Sequence, residues 1–311
     1  MEFNKIYNMD CLNGMKHIKD NSINLCVTSP PYYNAREYSK WEKLEHYLIN
    51  MRDICSEIYR VLKNHSVFVL NVGDIVGQIA KAKWSTKKIP LGAYFIVMCE
   101  EIGFQFVDDY IWDKGEPQSK RHLGNPPYPH YQYPVNSYEH IIIFIKHDLD
   151  KTKISCPVCN QTIIASNSQT AIGVQSWECK NPECSQKSQA GRGKRFSKRS
   201  VMMNDYKREE NLIDSQTIKL WRKDIVRLNP VIKINSKGEN KLGHTAPFPK
   251  EIPEMAIKFF TGVNDIVLEP FAGSGTTIFQ CLDLKRRYIA FEIDSDYYNL
   301  TQNKIINYYK N

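Results

Sequence analysis

Ser29-Pro30-Pro31-Tyr32 ends a short apolar run, Ile23–Val27, that opens after the turn residues Asn21 and Ser22. Two prolines fix the backbone, so a carbonyl projects at a defined angle, and they stop a sheet ladder at that point. The Ser29 hydroxyl can accept a hydrogen bond from an exocyclic amino group. The Tyr32 ring offers a flat face for a planar base. Together these residues form a clamp for an amino group on an aromatic ring.

A second group begins at Asp265 and reads as strand, glycine turn and helix, through Glu269-Pro270-Phe271-Ala272-Gly273-Ser274-Gly275-Thr276-Thr277. Glycines allow the tight turn and a close approach of ligand to backbone. The amides of the following helix point toward a bound anionic group. One strand later, Phe291-Glu292-Ile293-Asp294 puts a carboxylate at a strand end, where it can accept from a ribose diol. The lysine of a phosphate-binding G-x-x-x-x-G-K-[ST] loop is missing, which argues against a nucleoside triphosphatase, and the turn departs from the dinucleotide pattern G-x-G-x-x-G. By itself this turn also reads as a plain strand–helix connection.

The third group is Cys156-Pro-Val-Cys159 with Cys179-Lys-Asn-Pro-Glu-Cys184. Thiolates two or four residues apart on tight turns reach one tetrahedral Zn²⁺, and four of them close its shell. The expectation is a structural zinc site, with free thiols or a disulfide pair as the alternative. The pattern offers neither the H-x-E nor the open position that catalysis at zinc needs. Five further cysteines, at positions 11, 26, 55, 99 and 281, sit singly among mostly apolar residues and read as packed thiols.

The elements that must hold these groups alternate. Residues 41–63 show helical spacing through Leu44, Leu48, Met51, Ile54, Ile58, Val61 and Leu62. Strands are expected at Ser66–Val72, 106–112, 140–146, Asp265–Leu268 and Tyr288–Ile293, and further helices at 90–102, 250–260 and 295–309. This alternation predicts an α/β domain with a mainly parallel sheet. Residues 151–243 break the pattern and read as an insertion. The chain thus divides into 1–150, 151–243 and 244–311. Pro117–Tyr138, with five prolines and four tyrosines, reads as a long loop.

The 311 residues carry a net charge of +8 with 42% hydrophobic residues, enough for a core and against wholesale disorder. Lys187–Arg208 holds eight Lys or Arg and one Asp, nearly all of the excess, which suits a polyanionic partner or a solvated basic loop. No apolar run approaches the ~20 residues of a membrane span, and Met1–Asp10 lacks the apolar core of a secretory signal. The expectation is a soluble cytoplasmic protein without a membrane partner.

Thr28–Tyr32 followed by Phe271–Gly275 resembles the β group of DNA amino-methyltransferases that use S-adenosylmethionine, in which the catalytic tetrapeptide precedes the cofactor glycines. The resemblance covers about residues 1–150 and 240–311. It implies a Rossmann-like methyltransferase fold with a seven-stranded, mainly parallel sheet. It implies catalytic Ser29, Pro30, Pro31 and Tyr32, and cofactor contacts from Asp10, Cys11, Phe271, Ala272, Gly273, Ser274, Gly275, Thr276 and Glu292. An N-cap role before a helix is the other reading of Asp10. Asn71-Val-Gly73-Asp74 resembles the strand-end motif beside the catalytic loop. His244-Thr-Ala246-Pro247-Phe248-Pro249 resembles a segment near the methionine end of the cofactor. The insertion takes the place of a target recognition region, in which Arg192, Lys194, Arg195, Lys198 and Arg199 are the expected DNA contacts.

The implied reaction is direct methyl transfer to the amino nitrogen of a flipped base in duplex DNA. Hydrogen bonds to Ser29 and the Pro30 carbonyl would favour a tetrahedral nitrogen. Carbon-5 methylation needs a Pro-Cys dipeptide in its family, and this chain has none. Serine before Pro-Pro-Tyr and the Ala-Pro-Phe-Pro segment resemble N4-cytosine members more than N6-adenine members. The resemblance further implies a prokaryotic restriction–modification setting with a cognate endonuclease and activity on nucleoid DNA. Adenine N6, an RNA or protein amide substrate, and a binding protein with a degenerate core are the competing readings. Intact Ser29–Tyr32, Phe271–Gly275 and Glu292 argue against the last.

Overall fold

The computed structural model describes residues 1–33, 41–76, 88–115, 127–129, 136–148, 152–169, 175–184, 193–231 and 248–310. Among them the chain divides into two compact units, Met1–Lys146 with Ile213–Asn311, and His147–Leu212. The insertion thus ends at Leu212, well before the expected position 243.

In chain order the elements are β1 (Lys5–Asn8), α1 (Cys11–Met15), β2 (Ile23–Thr28), α2 (Leu44–Val61), β3 (Leu62–Val72), β4 (Ile75–Val76), β5 (Lys88–Ile89), α3 (Leu91–Ile102), β6 (Phe104–Asp113) and β7 (Tyr138–Lys146). The smaller unit holds β8 (Ile164–Gln169), β9 (Gln175–Cys179), β10 (Arg195–Ser197) and α4 (Lys198–Asp205). The larger unit resumes with α5 (Ser215–Trp221), β11 (Ile225–Arg227), α6 (Glu251–Phe260), β12 (Ile266–Glu269), α7 (Thr276–Asp283), β13 (Arg287–Glu292) and α8 (Ser295–Tyr308).

The central sheet has eight strands among the described residues, in the order β1-β13-β12-β2-β3-β7-β6-β11. Seven run parallel, and β7 alone runs against its neighbours β3 and β6. The expected count of seven falls short by one, and β1 and β11 were not among the expected strands; β11 pairs with β6 through Ile225↔Ile111 and Val226↔Trp112. Its three residues are too short to carry a period, and only the β6 edge identifies them as a strand.

Alternate strand residues feed two cores. Cys26, Phe68, Leu70, Phe144, Leu268 and Phe291 pack with Met15 of α1, Met51 and Ile54 of α2, and Phe95 and Met98 of α3. Leu25, Val67, Val69, Ile143, Val267 and Tyr288 pack with Trp221 of α5, Met255 of α6, Ile278 of α7 and Ile305 of α8. The result is a sheet between two helical layers. Both faces are covered, so β2 is buried at every position, and its polar Asn24 is satisfied by donating to Asp265 Oδ1 at 2.8 Å.

Residues 213–231 join the larger unit by specific contacts. The Trp112 indole N–H donates to the Leu228 carbonyl at 2.9 Å. Trp221 is buried, and its ring meets Tyr110 edge-on with centroids 6.1 Å apart. Trp221→Ala should therefore cost the larger unit about 3–5 kcal/mol, read as a fall in the urea midpoint. A loss below about 1 kcal/mol would place α5 outside that core.

Candidate active site

β12 is followed by β13 on one side of the sheet, and β2 by β3 on the other, while β2 and β12 are neighbours. The order in which successive strands are laid across the sheet therefore reverses between the parallel strands β2 and β12. In open α/β sheets the crevice beyond the strand carboxyl ends at such a point is where ligands bind. Ser29–Tyr32 leaves β2 at this edge, and Phe271–Gly275 leaves β12 beside it. Asn71–Gly73 ends β3, Glu292 ends β13, and antiparallel β7 brings its first residues, Tyr138 and Glu139, to the same edge.

Glu269 ties the two motifs together. Its carboxyl accepts from the hydroxyl of Thr28, from Thr277 Oγ1 at 2.6 Å and from the Phe271 amide at 3.0 Å. Burial pushes its pKa up to about 8, and outweighs the three donated hydrogen bonds. The turn beyond it closes with Gly275 at φ 85°, a left-handed conformation that favours glycine, and α7 starts at the next residue.

Glu292 accepts the Gly273 amide at 2.7 Å on one oxygen and the Asp294 amide at 2.9 Å on the other. Each carboxylate oxygen keeps a second lone pair. Asp10 and Cys11 lie next to this corner, because β1 pairs with β13 through Asn8↔Glu292. Asp10 accepts the Asn13 amide at 2.9 Å and caps α1, as one of its two readings anticipated. The Cys11 thiol packs in the core, where burial raises it to about 12. Phe271 and Ser274 are half-buried, Ala272 and Gly273 buried. His244–Pro247 and most of Pro117–Tyr138 lie outside the described residues.

Ser29, Tyr32 and Asn71 meet in a network whose centre, Glu139 with Lys114, the sequence did not single out. The Tyr32 hydroxyl donates to Glu139 Oε2 at 2.9 Å and lies 3.4 Å from Ser29 Oγ. Asn71 Nδ2 donates to the same carboxylate oxygen at 3.1 Å and to the His140 carbonyl at 3.0 Å. Lys114 forms an ion pair with the other oxygen of Glu139. A Cβ on Gly73 would lie 2.9 Å from Glu139 Cγ, so the glycine makes room for this side chain. Tyr32 is half-buried against the core formed with α2 and α3. Burial and the Glu139 charge hold its hydroxyl well above the usual range, and it stays protonated.

In the smaller unit, Cys156, Cys159, Cys179 and Cys184 bring their sulfurs within 4.8 Å of one another. Three of the four are buried, beside Trp177 and Phe196. The Cys156–Gln161 turn closes through Gln161 O, which accepts the Cys156 amide at 3.0 Å. Lys194 and Arg195 are exposed at the start of β10, and Lys198 and Arg199 open α4, which Ser197 and Ser200 cap reciprocally. Arg192 lies outside the described residues.

Glu269, Thr28, Glu139 and Lys114 were absent from the expected site. The one visible signal for Glu269 was its position two residues before Phe271. Glu139 is the second residue of β7 and belongs to no local motif.

The raised pKa of Glu269 makes folding stability depend on pH. Its ordinary value is 4.5 and its folded value about 8, so the folded chain holds a proton that the unfolded chain releases between them. This contribution is complete below 4.5 and fades as pH rises through about 8. Between about pH 5 and about pH 9 the wild type should lose a few kcal/mol relative to Glu269→Gln. Denaturation curves that stay parallel over that range would refute the buried proton.

A family model described as DNA methylase matches residues 23–303. The Type II beta methyltransferase M.BslI of Bacillus sp. (strain NEB-606) is 37% identical over 307 residues, 97% of this chain but 27% of its own length. The chain thus spans about a quarter of that relative. The Type II methyltransferase M.MjaI of Methanocaldococcus jannaschii is 25% identical, over 94% of this chain and 88% of its own. Among solved structures, TTHA0409 from Thermus thermophilus, complexed with S-adenosyl-L-methionine, shares the fold with a TM-score of 0.63 and 20% identity, over 96% of this chain and 92% of its own. The PvuII DNA methyltransferase, cytosine-N4-specific, does so with a TM-score of 0.57 and 18% identity, over 96% of this chain and 84% of its own. With its model matched across nearly the whole larger unit and the smaller one, the chain belongs to the DNA methylase family of N6 and N4 amino-methyltransferases.

Proposed function

We propose that this chain methylates the exocyclic N4 of cytosine in duplex DNA, with S-adenosylmethionine as donor, in a restriction–modification setting with a cognate endonuclease. The observation that carries this reading is the junction at the sheet edge. An amino-group clamp and a cofactor turn leave neighbouring parallel strands, and Glu269 joins them through Thr28 and Phe271.

Phe271, Ala272, Gly273, Ser274, Gly275, Thr276 and Glu292 would hold the donor, with Asp10 and Cys11 bordering the same corner. The fit is chemical: the Glu292 oxygens retain acceptor capacity for a diol, and the glycine turn lets a ligand approach the backbone. When bound, the donor supplies an electrophilic methyl group on a sulfonium. The chain's own work is positioning. Ser29 Oγ and the Pro30 carbonyl accept the protons of the amino group, which turns its nitrogen lone pair away from the ring. Tyr32 presents its ring to the base. A base inside the stack cannot reach this clamp, so the substrate nucleotide must be extruded. Serine rather than a carboxylate at position 29 favours cytosine over adenine, by resemblance to N4 members.

We further propose that the four cysteines hold a structural Zn²⁺. Zinc–sulfur bonds of about 2.3 Å put tetrahedral sulfurs about 3.8 Å apart, and the observed cluster, within 4.8 Å, needs little movement to reach that spacing. Arg192, Lys194, Arg195, Lys198 and Arg199 are then phosphate contacts of a recognition unit.

Nucleoside mass spectrometry of duplex DNA incubated with enzyme and donor tests the reaction. N4-methylcytosine is the expected product. N6-methyladenine would overturn the base assignment, and no methylated base the reaction. Ser29→Ala should cut turnover by roughly a hundredfold or more with cofactor affinity nearly unchanged. Freshly purified protein should contain one zinc per chain by elemental analysis. Cys179→Ser should lose the zinc and DNA affinity while still binding the cofactor.

A further inference from the structure

Tyr32 does more in this geometry than present a ring. Its hydroxyl sits between two partners, Glu139 Oε2 at 2.9 Å and Ser29 Oγ at 3.4 Å. A phenol has one proton to give. Glu139 is paired with Lys114, and every other contact it makes here is also from a donor. The Asn71 amide is fixed the same way round, since both neighbours of its nitrogen, Glu139 Oε2 and the His140 carbonyl, are acceptors. The Tyr32 proton therefore goes to Glu139. That leaves the Tyr32 oxygen as an acceptor on its Ser29 side.

Resting on the methyl-transfer reading above, we infer that Glu139, charge-balanced by Lys114, is a positioning residue that sets the proton order Glu139–Tyr32–Ser29, so that Ser29 gives its proton to Tyr32 and turns its lone pairs to the substrate amino group. A serine hydroxyl by itself can donate or accept, and would tolerate a carbonyl as well as an amine. The charged end of the chain removes that ambiguity. It makes Ser29 an acceptor, the role a carboxylate would fill without help. The backbone supports this arrangement at both ends. Lys114 is pinned beside the start of β7 by its amide, which donates to the Ser137 carbonyl at 2.9 Å. Gly73 leaves the space that the Glu139 side chain occupies.

The test is a double-mutant cycle on methyl transfer. Tyr32→Phe keeps the ring and its packing, removes the hydroxyl and leaves the Lys114–Glu139 pair in place. Glu139→Gln keeps the shape but adds an amide donor. Single-turnover rate, DNA KM, cofactor affinity by calorimetry and thermal midpoint are measured for each variant. Tyr32→Phe should lower the rate about tenfold or more, with cofactor affinity and midpoint unchanged. Glu139→Gln should lower it comparably, and add little on top of Tyr32→Phe. Independent, multiplying effects would make Glu139 merely structural and overturn the inference. So would a wild-type rate in Tyr32→Phe, with the methyl-transfer reading intact. A wild-type enzyme that methylates no nucleic acid would overturn both.

Discussion

The parallel pairing of β2 with β12 is the constraint on which the site depends. It joins residues about 240 positions apart, Leu25 to Val267 and Cys26 to Leu268. Both strands are buried at every position, so a slip of one residue would send each side chain to the opposite core. Register at this pair therefore sets the distance between Ser29 and the glycine turn. Glu269 then locks the last step, because its carboxyl reaches Thr28 on one strand and Phe271 and Thr277 beyond the other.

This arrangement explains why acidic side chains recur at the strand ends of the site. Glu269, Glu292 and Glu139 are each satisfied by donors from more than one segment. An uncompensated buried carboxyl costs several kcal/mol, and such a group persists only where its partners are held in place. Each acid is thus both a consequence of correct folding and a means of fixing loops that follow strand ends. The differences among them follow from their donors. Glu139 has the Lys114 ammonium beside it. Glu269 has only hydroxyls and an amide, too little to offset full burial, and its pKa rises accordingly.

Much of this could be read from the chain before its structure. The helices at 41–63, 90–102, 250–260 and 295–309 appear within a few residues as α2, α3, α6 and α8. Their long amphipathic periods carry the signal. Ser29–Tyr32 and Phe271–Gly275 were legible because proline and glycine restrict the backbone by themselves. What escaped was non-local. The antiparallel sense of β7 is a property of its pairing with β3 and β6, and no residue type announces it. β11 is a strand only because the β6 edge is open to it. Residues 213–231 read as part of the insertion because polar residues surround Trp221 in sequence. In space it packs with Val226, Met255 and the second core. Glu139 precedes a run of isoleucines, and its role emerges only where β7 meets β3.

The smaller unit follows a different logic. Its buried cluster consists of Cys156, Cys179, Cys184, Trp177 and Phe196, with Ile154, Val158, Cys159, Ile164 and Val201 packed around it. A core in a unit of this size supplies only a few kcal/mol, and small domains commonly add a metal or cross-links. Four thiols converge within that cluster. Under the zinc reading, the metal would hold together the turn at Cys156–Gln161 and the strand β9 that leads to the basic β10 and α4. The order of Lys194, Arg195, Lys198 and Arg199 would then depend on a centre that contacts no substrate. Under the proposed recognition role, the residues carried by β10 and α4 would vary within their own unit, while the β2–β12 junction belongs to the other.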